Sequence, residues 1–267
     1  MTEPSSYEQL AAGVPPIPTA EEFVGKVALV TGGTEGLGKN VALALTRMGC
    51  DVFVCGRREA MGAAFEQEAG PKGHYIRCDL QEPDQVDAMV QQAGKFKGHI
   101  DYLVNNAAID PNIPFDQMTL EQFEQIYQID LRPFFLVTKA ALPYMQKGAG
   151  KAIVNMGTTN YMKGIPGMSG YNAAKSGIVG FTRSLARDLA GSSDIRVNIV
   201  SPGWTLTERQ TRDHIGGPQK QYLLESQAIK RLMYPGHITP AVLFFLSKAA
   251  AGITGQNLVA DGGQFMQ

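Results

Sequence analysis

The chain has 267 residues, 44% of them hydrophobic, and a formal net charge of −1 with a pI near 6.4. This length and composition suffice for one large core, and the balanced charge argues against a nucleic-acid or anionic-membrane partner. No apolar run reaches the roughly 20 residues of a membrane-spanning helix, and MTEPSSYEQL lacks the basic start and apolar core of a secretory signal. We therefore expect a cytoplasmic protein with no membrane partner.

Cysteine and histidine usage gives no sign of a disulfide or a metal site. Cys50, Cys55 and Cys78 are an odd number without a C-x-x-C pair, which predicts reduced, buried packing residues. The four histidines are scattered and lack the spacing of metal ligands. We therefore expect no metal cofactor.

Residues 1–23 differ from the rest of the chain, because their prolines, serines and glycine predict an irregular N-terminal extension. Residues 24–267 alternate between apolar strand patterns and helical patterns, which predicts one α/β domain with a doubly wound, Rossmann-type parallel sheet. Pro133 and Pro143 should kink or split the longest helical pattern. The predicted strands are 26–31, 51–56, 74–78, 100–105, 151–156, 195–200 and 257–260, and the predicted helices are 37–48, 59–69, 83–95, 119–147, 170–190 and 239–248.

A glycine-rich loop follows the first predicted strand and leads into the first predicted helix. Glycines let the backbone approach a pyrophosphate closely, and the helix N-terminus offers free N–H groups to it. Strand, glycine-rich turn and helix in this order therefore predict a dinucleotide site, against the alternative of a purely structural turn. The loop consists of Gly32, Gly33, Thr34, Glu35, Gly36, Leu37 and Gly38.

Tyr171 and Lys175 are four residues apart in a helical pattern, so both side chains should lie on one face of the helix. A neighbouring ammonium favours the phenolate and should lower the pKa of the tyrosine toward neutrality. Such a tyrosine can exchange a proton with a hydroxyl or carbonyl group. The alternative is an ordinary helical tyrosine and lysine.

Taken together, these motifs resemble the short-chain dehydrogenase/reductase family over nearly everything from Val24 onward. The resemblance implies an NAD(P)-dependent oxidoreductase that acts on CH–OH groups of a small-molecule substrate and commonly forms a homotetramer. The matching segments are TGGTEGLG at 31–38, Asp79-Leu80, NNAA at 105–108, IVNMGTT at 153–159, YNAAK at 171–175, SPGWTLT at 201–207 and ITGQNLVADGG at 253–263.

The family's catalytic group of serine, tyrosine, lysine and asparagine shows two departures here. Thr158 stands where the family usually has serine and keeps the hydroxyl, with Thr159 as the fallback. Asp130 stands where the family has an asparagine that holds a water of the proton relay. Asp130 could pair with Lys175, be neutralised by Arg132, or face outward from its helix.

The second predicted strand ends without a carboxylate, and Arg57 follows where a dinucleotide site reads the adenosine ribose. A guanidinium suits a 2′-phosphate, so we predict NADP, with Arg58 assisting. Glu35 would repel that phosphate and keeps NAD as the alternative, and Arg57 could also be an ordinary surface arginine. Further cofactor contacts that the resemblance implies are Gly32, Thr34, Gly36, Leu37, Gly38, Asp79, Leu80, Asn105, Asn106, Ala107, Tyr171, Lys175, Pro202, Gly203, Thr205 and Thr207.

Residues 205–237 form a long connection that we expect to be a substrate lid. Its sequence resembles the aldose 1-dehydrogenase branch of the family, which implies an aldose oxidised at C1 to a lactone. Thr158, Asn160, Trp204 and Arg209 are the candidate substrate contacts. The alternatives are a ketone or 3-oxoacyl reductase and a non-catalytic NADP(H) sensor. The apolar stripe Ile178, Phe181, Leu185 and Leu189 could face either the core or a partner subunit.

Overall fold

The computed structural model describes residues 19–213 and 216–266, without the side chains of residues 212 and 213. Residues 1–18 of the predicted extension therefore lie outside the described residues. Its last residues are more regular than predicted, because Ala20–Phe23 form a 3₁₀ turn. Phe23 is buried and its ring centroid lies 5.4 Å from that of Tyr102, so packing of the domain begins before residue 24.

The described residues build one parallel sheet in the order β3-β2-β1-β4-β5-β6-β7. The central strands are buried along their whole length because helices cover both faces. This confirms the predicted doubly wound fold. The strands are β1 (Val27–Thr31), β2 (Asp51–Gly56), β3 (Gly73–Arg77), β4 (Tyr102–Asn105), β5 (Ala152–Met156), β6 (Arg196–Pro202) and β7 (Asn257–Ala260).

One α-helix of the described residues follows each of the first three strands, two helices follow each of β4 and β5, and three lie between β6 and β7. They are α1 (Gly36–Arg47), α2 (Glu59–Ala69), α3 (Pro83–Lys97), α4 (Leu120–Asp130), α5 (Arg132–Met145), α6 (Asn160–Lys163), α7 (Ser169–Ser193), α8 (Glu208–Asp213), α9 (Gly217–Ser226) and α10 (Pro235–Leu246).

The long helical pattern at 119–147 splits into α4 and α5, as its prolines predict. The break is at Leu131, with φ −124° and ψ −52°, two residues before Pro133 in the first turn of α5. Pro143 lies in the last turn of α5 and does not end it. The final helix begins four residues earlier than predicted, because Pro235 at its first position is compatible with a helix start.

Two large apolar clusters fill the space between the sheet and its helix layers. Cys50, Cys55 and Cys78 are buried and unpaired, as predicted. The stripe on α7 packs against the core, where Ile178 and Leu189 are buried and Phe181 and Leu185 are partly exposed. The stripe therefore gives no argument for a subunit interface. Among the described residues, no helix combines the length and apolar character that crossing a bilayer requires.

The strand order reverses at β1, which pairs with β2 on one side and β4 on the other. Consecutive connections leave this point toward opposite edges of the sheet, which opens a crevice beyond the carboxyl ends of these strands. The glycine-rich loop after β1 and the Asn105–Ala108 segment after β4 flank that crevice.

Candidate active site

A cleft of about 1220 Å³ lies along the carboxyl-terminal edge of the sheet. Most of the predicted site residues line it, whereas Gly38 and Asp130 lie behind its wall and Asn105 points into the core. The predicted residues that line the cleft are Gly32, Thr34, Glu35, Gly36, Leu37, Arg57, Arg58, Asp79, Leu80, Asn106, Ala107, Thr158, Asn160, Tyr171, Lys175, Pro202, Gly203, Trp204, Thr205, Thr207 and Arg209.

Asn106 holds the glycine-rich loop in place. Its amide donates to the carbonyl oxygens of Thr31 and Gly32 at 3.0 and 3.2 Å. A Cβ on Gly38 would lie 2.4 Å from that amide nitrogen, so only glycine permits this approach of α1. Gly36 has φ +58°, and a Cβ there would project toward Thr207 at 3.3 Å.

The loop and the start of α1 fit the pyrophosphate of a dinucleotide. Helix α1 begins at Gly36, and no side chain caps its N-terminus. Its first N–H groups therefore point toward the cleft without a side-chain acceptor, in the field of the helix dipole. A dinucleotide lying along the cleft would reach from Arg57 past these groups to Tyr171 and Lys175, all of which line the same cavity.

The predicted catalytic group assembles from the end of β5 and the first turns of α7. Thr158, two residues after β5, accepts a hydrogen bond from the backbone of Asn160 at 3.2 Å and lines the cleft. Thr159 is fully buried and does not line the cleft. The structure therefore brings Thr158, and not the alternative Thr159, to Tyr171. Lys175 is buried, donates to the carbonyl of Met156 at 3.1 Å, and has its ammonium 5.8 Å from the Tyr171 ring centroid.

The expected lowering of the Tyr171 pKa is wrong for this structure. Burial of the phenol raises its pKa, the negative charge of Asp130 raises it further, and a hydrogen bond with Thr158 acts in the opposite direction. The raised pKa favours the phenol form of Tyr171, which can donate a proton.

Asp130 faces inward, and its carboxylate is buried beside the catalytic lysine. Its Oδ1 accepts the backbone N–H of Ile109 at 2.7 Å, whereas Oδ2 is buried without a hydrogen-bond partner among the described residues. Burial raises the pKa of Asp130 to about 6, and the charge of Lys175 limits the rise. Arg132 does not neutralise it, because its guanidinium donates to the carbonyl of Gln81 at 2.9 Å.

The ammonium of Lys175 has an aromatic neighbour that the sequence analysis did not single out. It lies 5.3 Å from the ring centroid of Phe134, which is buried in α5. A cation near an aromatic face is attracted by the ring quadrupole. Burial nevertheless lowers the pKa of Lys175, and the carboxylate of Asp130 opposes that change.

At the other end of the cleft, the two arginines differ in their partners. Arg58 forms an ion pair of 2.6 Å with Glu35. Arg57 is exposed and makes no hydrogen bond or ion pair with the part of the chain that the structure describes. Glu35 is thus neutralised by one arginine, and the other remains available to a ligand.

Two other residues expected near the adenosine are held by the protein itself. Asp79 lines the cleft, and its Oδ1 accepts the backbone N–H of Gln81 at 3.1 Å. Asn105 donates to Asn155 at 2.9 Å inside the core and does not line the cleft, contrary to the expectation, whereas Asn106 does.

In the predicted lid, residues 205–237, the beginning and the end of the segment are hydrogen-bonded to each other at its base. The lid also contacts the opposite wall of the cleft. At the base, the N–H of Leu206 donates to the carbonyl of Met233 at 2.8 Å. On the far side, Arg209 forms an ion pair with Asp110 in the loop after β4. Gln210 donates to the other oxygen of Asp110 at 2.9 Å.

These contacts engage two residues expected to bind substrate, Trp204 just before the lid and Arg209 within it. The indole N–H of Trp204 donates to Gln210 at 2.8 Å, and the charge of Arg209 is paired with Asp110. Sequence reasoning missed Asp110, although it follows the NNAA motif at the end of β4, and it also missed Lys163 and Gln264, which line the cleft.

Comparison with known proteins agrees with this arrangement. Residues 32–264 match a family model described as enoyl-(acyl carrier protein) reductase. The chain is 35% identical to a protein described as probable galactose dehydrogenase GalD of Rhizobium meliloti, over 89% of this chain and 94% of that protein. It is 33% identical to 3-oxoacyl-[acyl-carrier-protein] reductase FabG of Vibrio harveyi, over 91% and 98%, and 34% identical to an acetoacetyl-CoA reductase of Acinetobacter, over 90% and 98%.

A solved structure has the same fold. It is provisionally described as a short-chain alcohol dehydrogenase of Sinorhizobium meliloti and superposes with a TM-score of 0.83 at 31% identity, over 91% of this chain and 98% of that one. Family model, relatives and fold agree with the glycine-rich loop and the Tyr171–Lys175 pair. The chain therefore belongs to the short-chain dehydrogenase/reductase family of NAD(P)-dependent oxidoreductases acting on CH–OH groups.

Proposed function

We propose that this protein is an aldose 1-dehydrogenase that prefers NADP and oxidises a cyclic sugar at C1 to a lactone. The observation that carries the proposal is the lining of the cleft to which Thr158 and Tyr171 belong, which is rich in side-chain amides. Amides both donate and accept hydrogen bonds, as the hydroxyls of a sugar require. These amides belong to Asn112, Asn160, Gln210, Gln219 and Gln264.

Each member of the catalytic group has a distinct task in this reaction. Thr158 holds the C1 oxygen by a hydrogen bond, and Tyr171, once ionised, accepts the proton of the C1 hydroxyl. Lys175 supplies positive charge beside the phenol and would donate hydrogen bonds to the ribose of a bound cofactor. The bound nicotinamide supplies the hydride chemistry that no side chain can perform.

The preference for NADP rests on charge at the adenosine end. Arg57 is exposed at the edge of the cleft, and Arg58 offsets the carboxylate of Glu35 through their ion pair. A doubly charged phosphate would thus meet one unpaired guanidinium and a neutralised glutamate. Charge-assisted hydrogen bonds of this kind contribute roughly 1.5–3 kcal/mol each.

A second candidate function is reduction of a ketone or 3-oxoacyl group. It is favoured by the raised pKa of Tyr171, because a phenol that stays protonated at neutral pH is suited to donate a proton to a carbonyl. The similarity to 3-oxoacyl and acetoacetyl-CoA reductases points the same way.

A substrate panel decides between the two candidates. Aldopentoses, aldohexoses, polyols, ketones and 3-oxoacyl thioesters are offered with NADP(H) and NAD(H), and turnover is followed by the absorbance of the reduced nicotinamide. We expect oxidation of one or a few aldoses, faster with NADP. Turnover confined to ketone or oxoacyl reduction would assign the second function.

A further inference from the structure

The substrate end of the cleft contains a lysine whose charge no carboxylate balances directly. Lys163, the last residue of α6, is half-buried and lines the cleft. Its ammonium donates to the side-chain oxygen of Gln264, a neutral amide. Within the described residues, no carboxylate lies within 4.0 Å of it. A partly buried ammonium that bonds no carboxylate directly favours a ligand that supplies one.

From this residue we infer that the substrate carries a carboxylate, which Lys163 binds. The inference rests on the proposed function and names its substrate class, a hexuronate, which is an aldose with a carboxylate on its ring. Such a sugar has the C1 hydroxyl that the catalytic group requires and an anionic group at the other end of the ring.

The other charges at this end of the cleft are already balanced or exposed. Arg209 is paired with Asp110, and Glu208 is exposed at the start of α8. Asp261 is the carboxylate that acts on Lys163 from a distance, but its oxygens accept three backbone N–H groups. These hydrogen bonds, from Gly263, Gln264 and Phe265, stabilise the charge of Asp261 without help from Lys163. Lys175 has Asp130 as its counter-charge. Among the described residues of this region, Lys163 is thus the cation that remains available to an anion.

Helix α6 runs from the neighbourhood of Thr158 to this lysine. It begins two residues after Thr158 and has four residues, so it is about 6 Å long. That is roughly the length of a hexose ring with its substituents. A sugar whose C1 hydroxyl lies at Thr158 and Tyr171 can therefore direct its carboxylate along α6 toward Lys163.

Gln264 fixes the lysine and connects it to the lid. Its amide nitrogen donates to the hydroxyl of Ser226 at 2.7 Å, at the end of α9, while its oxygen accepts from Lys163. An ammonium has three hydrogens, so one serves Gln264 and the others can bind a carboxylate. The carboxylate site is thus built from α6, the segment after β7, and the lid.

The reaction itself is unchanged by this assignment. The C1 hydroxyl loses its proton to Tyr171, the C1–H bond breaks with transfer of hydride to the oxidised cofactor, and the C1 carbonyl of the lactone forms. The carboxylate of the sugar is a spectator that binds and orients the ring. Binding energy from such a remote group raises kcat/KM for the acid relative to the parent aldose.

The test compares hexuronates with their parent aldohexoses, using the full chain and both cofactors. For the unmodified protein we expect kcat/KM to be at least about tenfold higher for galacturonate or glucuronate than for galactose or glucose. Lys163→Met should lower kcat/KM for the hexuronate by about 10- to 100-fold and that for the aldose by less than about threefold. Lys163→Arg, which keeps the charge, should retain most of the preference for the acid.

Gln264→Glu provides a second variant that keeps the lysine. The new carboxylate would stand where the amide oxygen already accepts from Lys163, so it should pair with the ammonium and lower the acid preference about as much as Lys163→Met. Calorimetric titration of galacturonate into the NADPH-loaded Tyr171→Phe variant reads binding without turnover. There, Lys163→Met should weaken hexuronate binding.

The outcomes are distinguishable. If aldoses are oxidised but hexuronates are not preferred, or if Lys163→Met lowers both alike, the carboxylate assignment is wrong and the proposed function stands. If neither aldoses nor hexuronates are oxidised or bound while ketones or oxoacyl thioesters are reduced, both proposals are overturned.

Discussion

The buried carboxylate of Asp130 is the counter-charge of the buried ammonium of Lys175. Asp130 opposes the fall in the pKa of Lys175, and Lys175 limits the rise in the pKa of Asp130. The same carboxylate raises the pKa of Tyr171. Asp130, which replaces the asparagine of the family pattern, therefore changes the pKa of both Tyr171 and Lys175.

Asp130→Asn should shift the pH–rate profile of oxidation to lower pH by about one unit. Removing the negative charge lowers the pKa of Tyr171, so the ionised base forms at lower pH. The pKa of Lys175 falls as well, so activity is lost earlier on the alkaline side. The measurement is kcat/KM across pH, with Asp87→Asn on the exposed face of α3 as a control. An unchanged profile would assign Asp130 a structural role.

Tyr171→Phe should lower turnover by roughly 10²- to 10⁴-fold, because the ring remains but the proton-transferring hydroxyl is gone. Affinity for NADP(H) should persist, since Lys175 and the glycine-rich loop are untouched. Fluorescence titration of NADPH and initial rates separate the two effects. Tyr127→Phe, on α4 and away from the cleft, is the matched control. Turnover of Tyr171→Phe at the unmodified rate would remove Tyr171 from the mechanism.

Arg57→Ala should weaken NADP binding by roughly 10- to 100-fold and leave NAD binding within about threefold, because the two cofactors differ only in the 2′-phosphate. Glu35→Gln should have the opposite effect on NADP, since it removes a negative charge and releases Arg58 from its ion pair. Both are read by calorimetric titration with each cofactor. Equal affinity of the unmodified protein for NADP and NAD would refute the assignment of Arg57.

The parts of this site that sequence reasoning located are those whose residues are neighbours along the chain. The glycine-rich loop is seven consecutive residues, and Tyr171 and Lys175 share a helix face by their spacing alone. The apolar runs predicted the strands of the sheet because a strand covered on both faces must be apolar throughout.

The remaining parts depend on where the fold places distant residues. Asp110 and Arg209 are 99 positions apart, and Lys163 and Gln264 are 101 apart, so no local pattern predicts either pair. The sequence pattern around Asp130 left open whether its side chain points inward. Helix α4 ends at Asp130 and α5 begins at Arg132, so one continuous helical pattern does not describe which side chains face the core there. The raised pKa of Tyr171 comes from burial of its phenol and from the charge of Asp130. The spacing of Tyr171 and Lys175 along the chain shows neither.

Gly38→Ala should abolish cofactor binding and destabilise the fold. The added Cβ would lie 2.4 Å from the Asn106 amide nitrogen and 2.6 Å from the Gly32 carbonyl oxygen, so the loop or α1 must move. Gly191→Ala, in the last turns of α7, meets nothing within 4 Å and should be neutral or stabilise by up to about 1 kcal/mol. Thermal unfolding with and without NADPH measures both effects. Unchanged NADPH binding by Gly38→Ala would contradict the role given to this glycine.

Asp110→Asn should loosen the lid without unfolding the domain. Asp110 accepts from Arg209 and from Gln210, so its carboxylate joins the loop after β4 to α8 across the cleft. The asparagine keeps one acceptor but loses the ion pair, which at a partly exposed site contributes about 1 kcal/mol or less. We expect KM for the substrate to rise by roughly three- to tenfold.

Added salt should raise KM of the unmodified protein more than that of the variant, because salt screens the pair. Asp116→Asn, in the exposed Phe115–Gln117 turn, controls for a general change in surface charge. A KM that responds to salt equally in Asp110→Asn and the unmodified protein would show that the Asp110–Arg209 ion pair does not govern substrate binding.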